Sequence, residues 1–339
     1  MNELVFPNIN IEGLARWTGD VSPLECIHIK DETHNVKSFT FKSKKDAWFQ
    51  FLPGQHTTLF LKIDGNDVMR TYTIASTPTR PNTITITNKR MAEGVVTNWM
   101  HDNLKVGDCV DALDIGGSFS VALDKPKPKI LFLSGGSGIT PMLSMIRYFY
   151  DLSIDVDIAF VHNAQSEKDL ISKDELEFYE SNQSDLKSHY VCDVPSESWQ
   201  GPTGFLSHEM LLKLVPDFVQ REIYCCGPEL YMQNVKKILE SAAFDMNFYH
   251  QESFDIESST AQKNMAINAE LPEHKVTKSE INEYNVTLKK SGEVLPCGSN
   301  TSILVSIQKQ GITVPFACSQ GLCGTCRTKM LDGTVEMDA

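Results

Sequence analysis

The sequence predicts a multidomain protein of β, α/β and α+β parts: an antiparallel barrel, a parallel α/β domain and a small C-terminal α+β domain. Three observations carry that expectation. Between Leu24 and about Asp124, short runs of alternating apolar and polar residues are separated by turn clusters. From Lys129 onward, an apolar strand enters a glycine turn and a helix, and strands then alternate with helices. Near the end, Cys318, Cys323 and Cys326 stand in the order C-x4-C-x2-C.

The 339-residue length suits two or three domains. Residues 1–22 form an extension whose Phe6, Leu14 and Trp17 are expected to pack on the domain that follows. Residues 23–124 are the barrel. Its strands are Cys26–Ile29, Val36–Phe41, Thr57–Ile63, Val68–Ala75 and Thr83–Thr87, and one helix spans Val95–Leu104. Pro53-Gly54, Asp64-Gly65-Asn66 and Pro78 to Asn82 supply turns, because Gly, Asn and Asp tolerate turn conformations and Pro fixes one.

Residues 125–254 are the α/β domain. Strands are expected at Lys129–Ser134, Asp155–His162, Ser188–Cys192 and Arg221–Cys226. Helices are expected at Leu170–Ser181, His208–Leu214 and Glu229–Ala242. Residues 255–282 are polar and lack a period, as in a linker. Residues 283–339 form the third unit. A hairpin of Asn285–Leu288 with Gly292–Pro296 and a helix over Ser302–Gln310 lead into the cysteine loop.

Lys and Arg total 31 against 44 Asp and Glu, so the net charge is −13, which disfavours nucleic acid and anionic membranes as partners. It suits a protein partner with a basic face. The chain begins without a charged-then-apolar signal segment, and no apolar run approaches a membrane span. Nine cysteines with no regular pairing point to a reducing, cytoplasmic setting.

The cysteine spacing is that of a plant-type 2Fe–2S loop, which moves one electron at a time. Gly321 and Gly324 let the chain fold tightly there, and backbone N–H groups then point at sulfur. Such clusters take a fourth thiolate well downstream. Thirteen residues follow Cys326 and none is Cys, so the domain is expected to be incomplete at its C-terminus. Cys297 precedes the loop and is expected in a strand or turn without a ligand role.

In the barrel, Arg70-Thr71-Tyr72-Thr73-Ile74-Ala75-Ser76 places residues 70, 72 and 74 on one face and 71, 73 and 75 on the other. Arg70 can fork onto a phosphate, Tyr72 can lie along a flat heterocycle, and Thr73 offers a hydroxyl and an N–H to a ring nitrogen. Gly94-Val95-Val96-Thr97 opens a helix whose unpaired N–H groups suit a second phosphate contact. Asn88 and Lys89, at the end of the preceding strand, complete the barrel's cofactor-binding candidates.

Gly135, Gly136, Gly138, Thr140 and Pro141 form a glycine turn between strand and helix, suited to a pyrophosphate. Cys226, Gly227 and Pro228 end another strand at the same sheet edge, where ligands of open α/β sheets sit. Cys226 is a candidate neighbour of a nicotinamide ring or an ordinary buried thiol. Phe254, after Glu252, either covers a flat ligand or is core.

Taken together, Arg70–Ser76, Gly94–Thr97, Gly135–Pro141, Cys226–Pro228, Glu252–Phe254 and the cysteine loop resemble the ferredoxin–NADP reductase superfamily. The branch is the one in which a flavin barrel and a nicotinamide domain are fused to a plant-type ferredoxin domain of β-grasp type. Val68–Tyr72, Asn98–Leu104 and Asp217–Pro228 look most like the reductase components of glycine betaine monooxygenases, and are similar to reductases of hybrid-cluster proteins. The resemblance implies FAD, NADH or NADPH, and a 2Fe–2S cluster on Cys318, Cys323 and Cys326. It implies electron delivery to a redox protein, either a Rieske-type oxygenase or a hybrid-cluster protein. It gives Thr73, Cys226 and Glu252 the positions around the reacting rings. Glu167, in the loop after the second sheet strand, would repel a 2′-phosphate and favours NADH.

Overall fold

The computed structural model describes residues 15–17, 22–113, 115–123, 127–182, 185–254, 283–289, 291–299, 301–310, 312 and 328–335. The chain divides into two units, residues 1–255 and 256–339.

The first unit begins with six antiparallel strands. These are β1 (Ser22–Thr33), β2 (Val36–Ser43), β3 (His56–Ile63), β4 (Asn66–Thr73), β5 (Ile84–Lys89) and β6 (Cys109–Ala112), in the order β4-β3-β6-β1-β2-β5. Alternation drives the fold. Leu24, Phe39, Phe41, Leu59, Ile84 and Ile86 turn inward and are fully buried. An Ile74–Ile86 bridge and the Ala75 N–H donating to the Thr85 carbonyl at 2.8 Å join the two end strands, closing the barrel. Helix α1 (Val95–Asn103) packs Val96 and Met100 into the same core. Of the extension, Trp17 is buried against Phe49 at a ring separation of 5.5 Å, and its backbone N–H donates to the Trp48 carbonyl. Phe6 and Leu14 lie outside the described residues.

Five parallel strands follow: β7 (Lys129–Gly135), β8 (Asp157–Ala164), β9 (Leu186–Cys192), β10 (Glu222–Cys226) and β11 (Tyr249–Glu252), in the order β11-β10-β7-β8-β9. Both faces are covered, as a parallel sheet requires. On one face Phe132 and Phe160 meet Met142 and Ile146 of α2 (Ile139–Asp151) and Leu176 of α3 (Lys173–Asn182). On the other, Leu131 and Val161 meet Leu211 of α4 (His208–Leu214) and Val235 of α5 (Glu229–Ser241). Barrel and sheet share a core: Phe119 and Val121 belong to the α2 side, and Phe119 meets the Tyr224 ring at 5.6 Å.

Two strands went beyond the sequence expectation. β6 has four residues, and only Val110 and Ala112 are fully inward; β11 reads Tyr-His-Gln-Glu and borrows its place from backbone pairing to β10. Helix α3 begins three residues later than expected, because Leu170 and Ile171 are buried in the approach and Ser172 takes a left-handed φ of 53°.

In the second unit, β12 (Glu283–Leu288) and β13 (Glu293–Gly298) form an antiparallel hairpin, followed by α6 (Ile303–Lys309). Cys297 is buried on β13, a strand position as expected, and its thiol donates to the Thr301 carbonyl at 3.3 Å. Cys318, Cys323 and Cys326 lie outside the described residues. Among the described residues no helix is long and apolar enough to cross a membrane.

Replacing Trp17 by Ala removes an aromatic anchor from the barrel wall and lowers stability by about 3 kcal/mol. Denaturant unfolding of the full chain checks this, and an unchanged midpoint would refute the anchoring role.

Candidate active site

The carboxyl ends of the parallel strands form the floor of the site. β7 ends at Ser134-Gly135, and Gly136 then takes a left-handed φ of 54°, turning the chain sharply into α2. The backbone at Gly138 lies directly on the end of β10. A Cβ there would overlap the Cys226 carbonyl and the Gly227 nitrogen, so only glycine fits. Thr140 and Pro141 follow in the first turn of α2, both buried, with the Thr140 hydroxyl donating to the Ser137 carbonyl at 3.2 Å. No side chain caps this helix, although the Ile139 N–H already donates back to the Gly136 and Ser137 carbonyls.

The barrel contributes the opposite wall. The Thr73 hydroxyl, at the end of β4, donates to Glu252 Oε2 of β11 at 3.4 Å, joining residues 179 positions apart. Glu252 pairs in register with Cys226, and Cys226 with Ser134. Thr73 therefore meets Glu252, whose register partner on β10 is Cys226. Phe254 follows two residues after Glu252 and is exposed, so it is not a core residue.

Along β4, the Arg70 guanidinium donates to the Met69 carbonyl at 2.8 Å and is half-buried, while Tyr72 packs on the edge of the barrel core. The Thr71 hydroxyl lies 2.8 Å from that of Thr58, across the strand pair. Gly94 precedes α1 without a side-chain cap, leaving the N–H groups of Val95 and Val96 at an open helix start. The Thr97 hydroxyl closes its own turn, accepting from the Met91 N–H and donating to the Gly94 carbonyl. Asn88 faces inward. Its amide donates to Met100 Sδ, and its oxygen lies 2.9 Å from His101 Nε2, so the side chain holds α1 while Lys89 stands half-buried at the strand end.

Arg70 with the uncapped α1 start fits the phosphates of a flavin nucleotide, and Tyr72 and Thr73 fit its ring. The Gly138 cradle and the uncapped α2 start fit a dinucleotide pyrophosphate. Cys318, Cys323 and Cys326 supply three of the four thiolates that an iron–sulfur cluster takes.

Two features were absent from the sequence expectation. Ser134 Oγ lies 2.7 Å from Nδ1 of His162 on β8, both fully buried under the glycine turn. Nε2 of that imidazole has no hydrogen-bond partner. Burial lowers the His162 pKa to about 4, so the ring is neutral at pH 7. The other is the Arg147 side chain of α2, which donates to the Ala75 carbonyl at 2.6 Å and forks onto Glu175. An arginine inside the apolar run of α2 is the signal that could have revealed it.

His162 gives a stability prediction. Its folded pKa lies below the ordinary 6.5, so the unfolded chain binds the proton more readily. The stabilisation is complete above about pH 6.5 and is lost as pH falls toward 4, a span of roughly 3 kcal/mol. Denaturant titrations from pH 7.5 to 4.5 will show this slope, and His162→Phe will flatten it. An equal slope in the variant would refute the assignment.

Residues 23–127 match the family described as the oxidoreductase FAD-binding domain, and residues 132–237 the oxidoreductase NAD-binding domain. Residues 286–339 match the 2Fe-2S iron-sulfur cluster binding domain. The glycine betaine monooxygenase reductase subunit of Chromohalobacter salexigens is 40% identical over 326 residues, spanning 95% of this chain and 88% of that protein. The stachydrine N-demethylase reductase subunit of Rhizobium meliloti is 36% identical, spanning 96% of this chain and 90% of that protein. Among solved structures, phthalate dioxygenase reductase shares the fold with a TM-score of 0.61 and 23% identity, spanning 90% of this chain and 85% of its own.

Proposed function

The chain belongs to the family of reductase subunits that includes those of glycine betaine monooxygenase, and carries that family's FAD-binding, NAD-binding and 2Fe-2S domains; from this premise we propose that it passes electrons from NADH to a Rieske-type oxygenase. It is an NAD(P)H oxidoreductase. The observation that carries the reading is the Thr73–Glu252 contact, which brings the flavin-side strand against the carboxyl edge of the nucleotide sheet beside Cys226.

FAD, when bound, takes two electrons as hydride from a dihydronicotinamide and gives them up singly. The protein's part is position. Arg70 and the N–H groups of Val95 and Val96 hold phosphate, and Tyr72 backs the ring. The Thr73 hydroxyl and N–H face its reacting edge. The turn from Gly135 to Thr140 holds the dinucleotide's pyrophosphate, and Cys226 bounds the nicotinamide pocket without a Cβ-branched wall. Glu252, bonded to Thr73, fixes that hydroxyl's direction. Cys318, Cys323 and Cys326 would hold the cluster that relays electrons onward. Buried reduced thiols at Cys26, Cys192, Cys225, Cys226 and Cys297 suit a cytoplasmic setting.

A hybrid-cluster protein is the alternative acceptor that the resemblance in the sequence implies. The 40% relative favours the oxygenase. Purified protein will be yellow, and NADH added without oxygen will bleach it. Reduction of a Rieske oxygenase will then follow, and Cys323→Ser will abolish that step while leaving bleaching intact. Colourless protein that binds no added FAD would sink the proposal in favour of a docking role.

Choice of NADH follows from Glu167. Its carboxylate sits in the turn after β8, accepting from the Ser196 N–H at 3.1 Å. The Ser196 bonds hold its pKa below the usual range, so it meets a 2′-phosphate as an anion. We expect kcat/KM to favour NADH by about tenfold or more, and Glu167→Arg to erase about tenfold of that preference. Unchanged selectivity in the variant would refute Glu167's role.

A further inference from the structure

Helix α2 carries two sites at once. It starts at the glycine turn, and three of its polar side chains form a single stripe: Ser144, Arg147 and Asp151, at the i, i+3, i+7 spacing of one helix face. All three grip the barrel segment that continues β4. Ser144 Oγ donates to the Ser76 carbonyl at 2.7 Å. Arg147 donates to the Ala75 carbonyl at 2.6 Å. Asp151 accepts from the Thr79 hydroxyl and takes the Arg80 guanidinium through both oxygens, at 3.0 and 2.7 Å. Arg147 is itself braced. Its remaining donors fork onto Glu175 of α3 at 2.7 and 2.6 Å, and the Tyr179 hydroxyl donates to the same carboxylate at 2.7 Å.

The gripped carbonyls at 75 and 76 come two and three residues after Thr73. The other end of α2 begins at Gly138, seated on the Cys226 carbonyl. Thus one rigid rod links the strand that faces the flavin to the turn that holds the dinucleotide. General packing of barrel on sheet does not require this arrangement, because Phe119 and Val121 already supply an apolar contact.

We propose that the Ser144–Arg147–Asp151 stripe, braced by Glu175, is a positioning element that sets how closely the nicotinamide approaches the flavin. The inference rests on the function proposed above and adds residues outside both ligand sites. A small displacement of reacting atoms costs rate far more than affinity, since near-attack geometry is lost while most binding contacts persist. The stripe residues should therefore separate hydride transfer from binding.

Stopped-flow bleaching by NADH and its C4-deuterated form tests this, together with two measurements made without turnover. These are FAD content of the purified protein and the long-wavelength absorbance that appears when NAD+ stacks on the reduced flavin. Ser144→Ala, Thr79→Ala and Arg147→Lys are the variants. We expect FAD content and NAD+ affinity within about twofold of the parent, weakened long-wavelength absorbance, and bleaching slowed about 10- to 100-fold with the deuterium effect retained or enlarged. Arg147→Lys keeps the charge but not the fork, so Glu175→Gln should reproduce its defect. Lower thermal stability with unchanged bleaching rate and absorbance would overturn the proposal, leaving the stripe a simple staple. If Arg147→Lys fails to fold, Ser144→Ala and Thr79→Ala decide by the same readouts. Failure of the parent protein to bleach with NADH would instead reject the underlying function.

Discussion

The Arg147 guanidinium is the junction on which this architecture turns. It is largely buried, where an unpaired charge would cost several kcal/mol. Burial pushes the Glu175 carboxyl up, yet the Arg147 fork and the Tyr179 hydroxyl more than offset this and hold it below its ordinary range. The pair remains ionised because its donors and acceptors are matched: two guanidinium nitrogens to Glu175 and one to the Ala75 carbonyl. Such a pair contributes little net stability over a hydrophobic replacement. Its value is geometric, since three elements (α2, α3 and the barrel segment after β4) meet at one planar group. An apolar contact could bring them together but could not fix their register.

Elements were legible in the sequence wherever local signals and tertiary demands agreed. Strand β2 alternates from Phe39 to Ser43 and β3 from Leu59 to Ile63, because one face of each stretch is barrel core. Strand β7 reads as a continuous apolar run because both its faces are covered. Helix α4 emerged with the expected bounds, its Ser207 cap accepting from the Met210 N–H at 3.1 Å. Strand β11 was illegible for the opposite reason. As an edge strand it is held by backbone pairing to β10 and packs few apolar side chains, so Tyr-His-Gln-Glu carries no period. Strand β6 is too short for alternation to register.

The site divided along the same line. Its backbone parts were visible as glycine and cap chemistry: the turn at Gly135 to Gly138 and the start of α1. Its long-range pairings were not. Nothing local marks Ser134 as the partner of His162, or Arg147 as the partner of Ala75, because each depends on which strands and helices become neighbours. Asn88 illustrates the converse. Its place at a strand end suggested a ligand contact, whereas the barrel curls that position inward onto Met100 and His101. The cysteine loop was legible from spacing alone, since a cluster dictates its own ligand geometry.

A site whose cofactors carry the reaction gains by keeping its own side chains chemically quiet. Burial pushes the Cys225 thiol, beside Cys226 on β10, up to about 12, so it stays protonated and unreactive. Burial likewise keeps the Tyr231 phenol protonated as its hydroxyl donates to Asn163 at 3.2 Å, and keeps His162 neutral. These groups offer neither a nucleophile nor a mobile proton beneath the nucleotide turn. The field there is set by helix starts and backbone N–H groups, which do not titrate. Glu252 is joined to the flavin-side strand through its bond to Thr73. Fixed dipoles hold the same potential over a wide pH range. That constancy matters for a protein whose two-electron intake and one-electron output must remain matched.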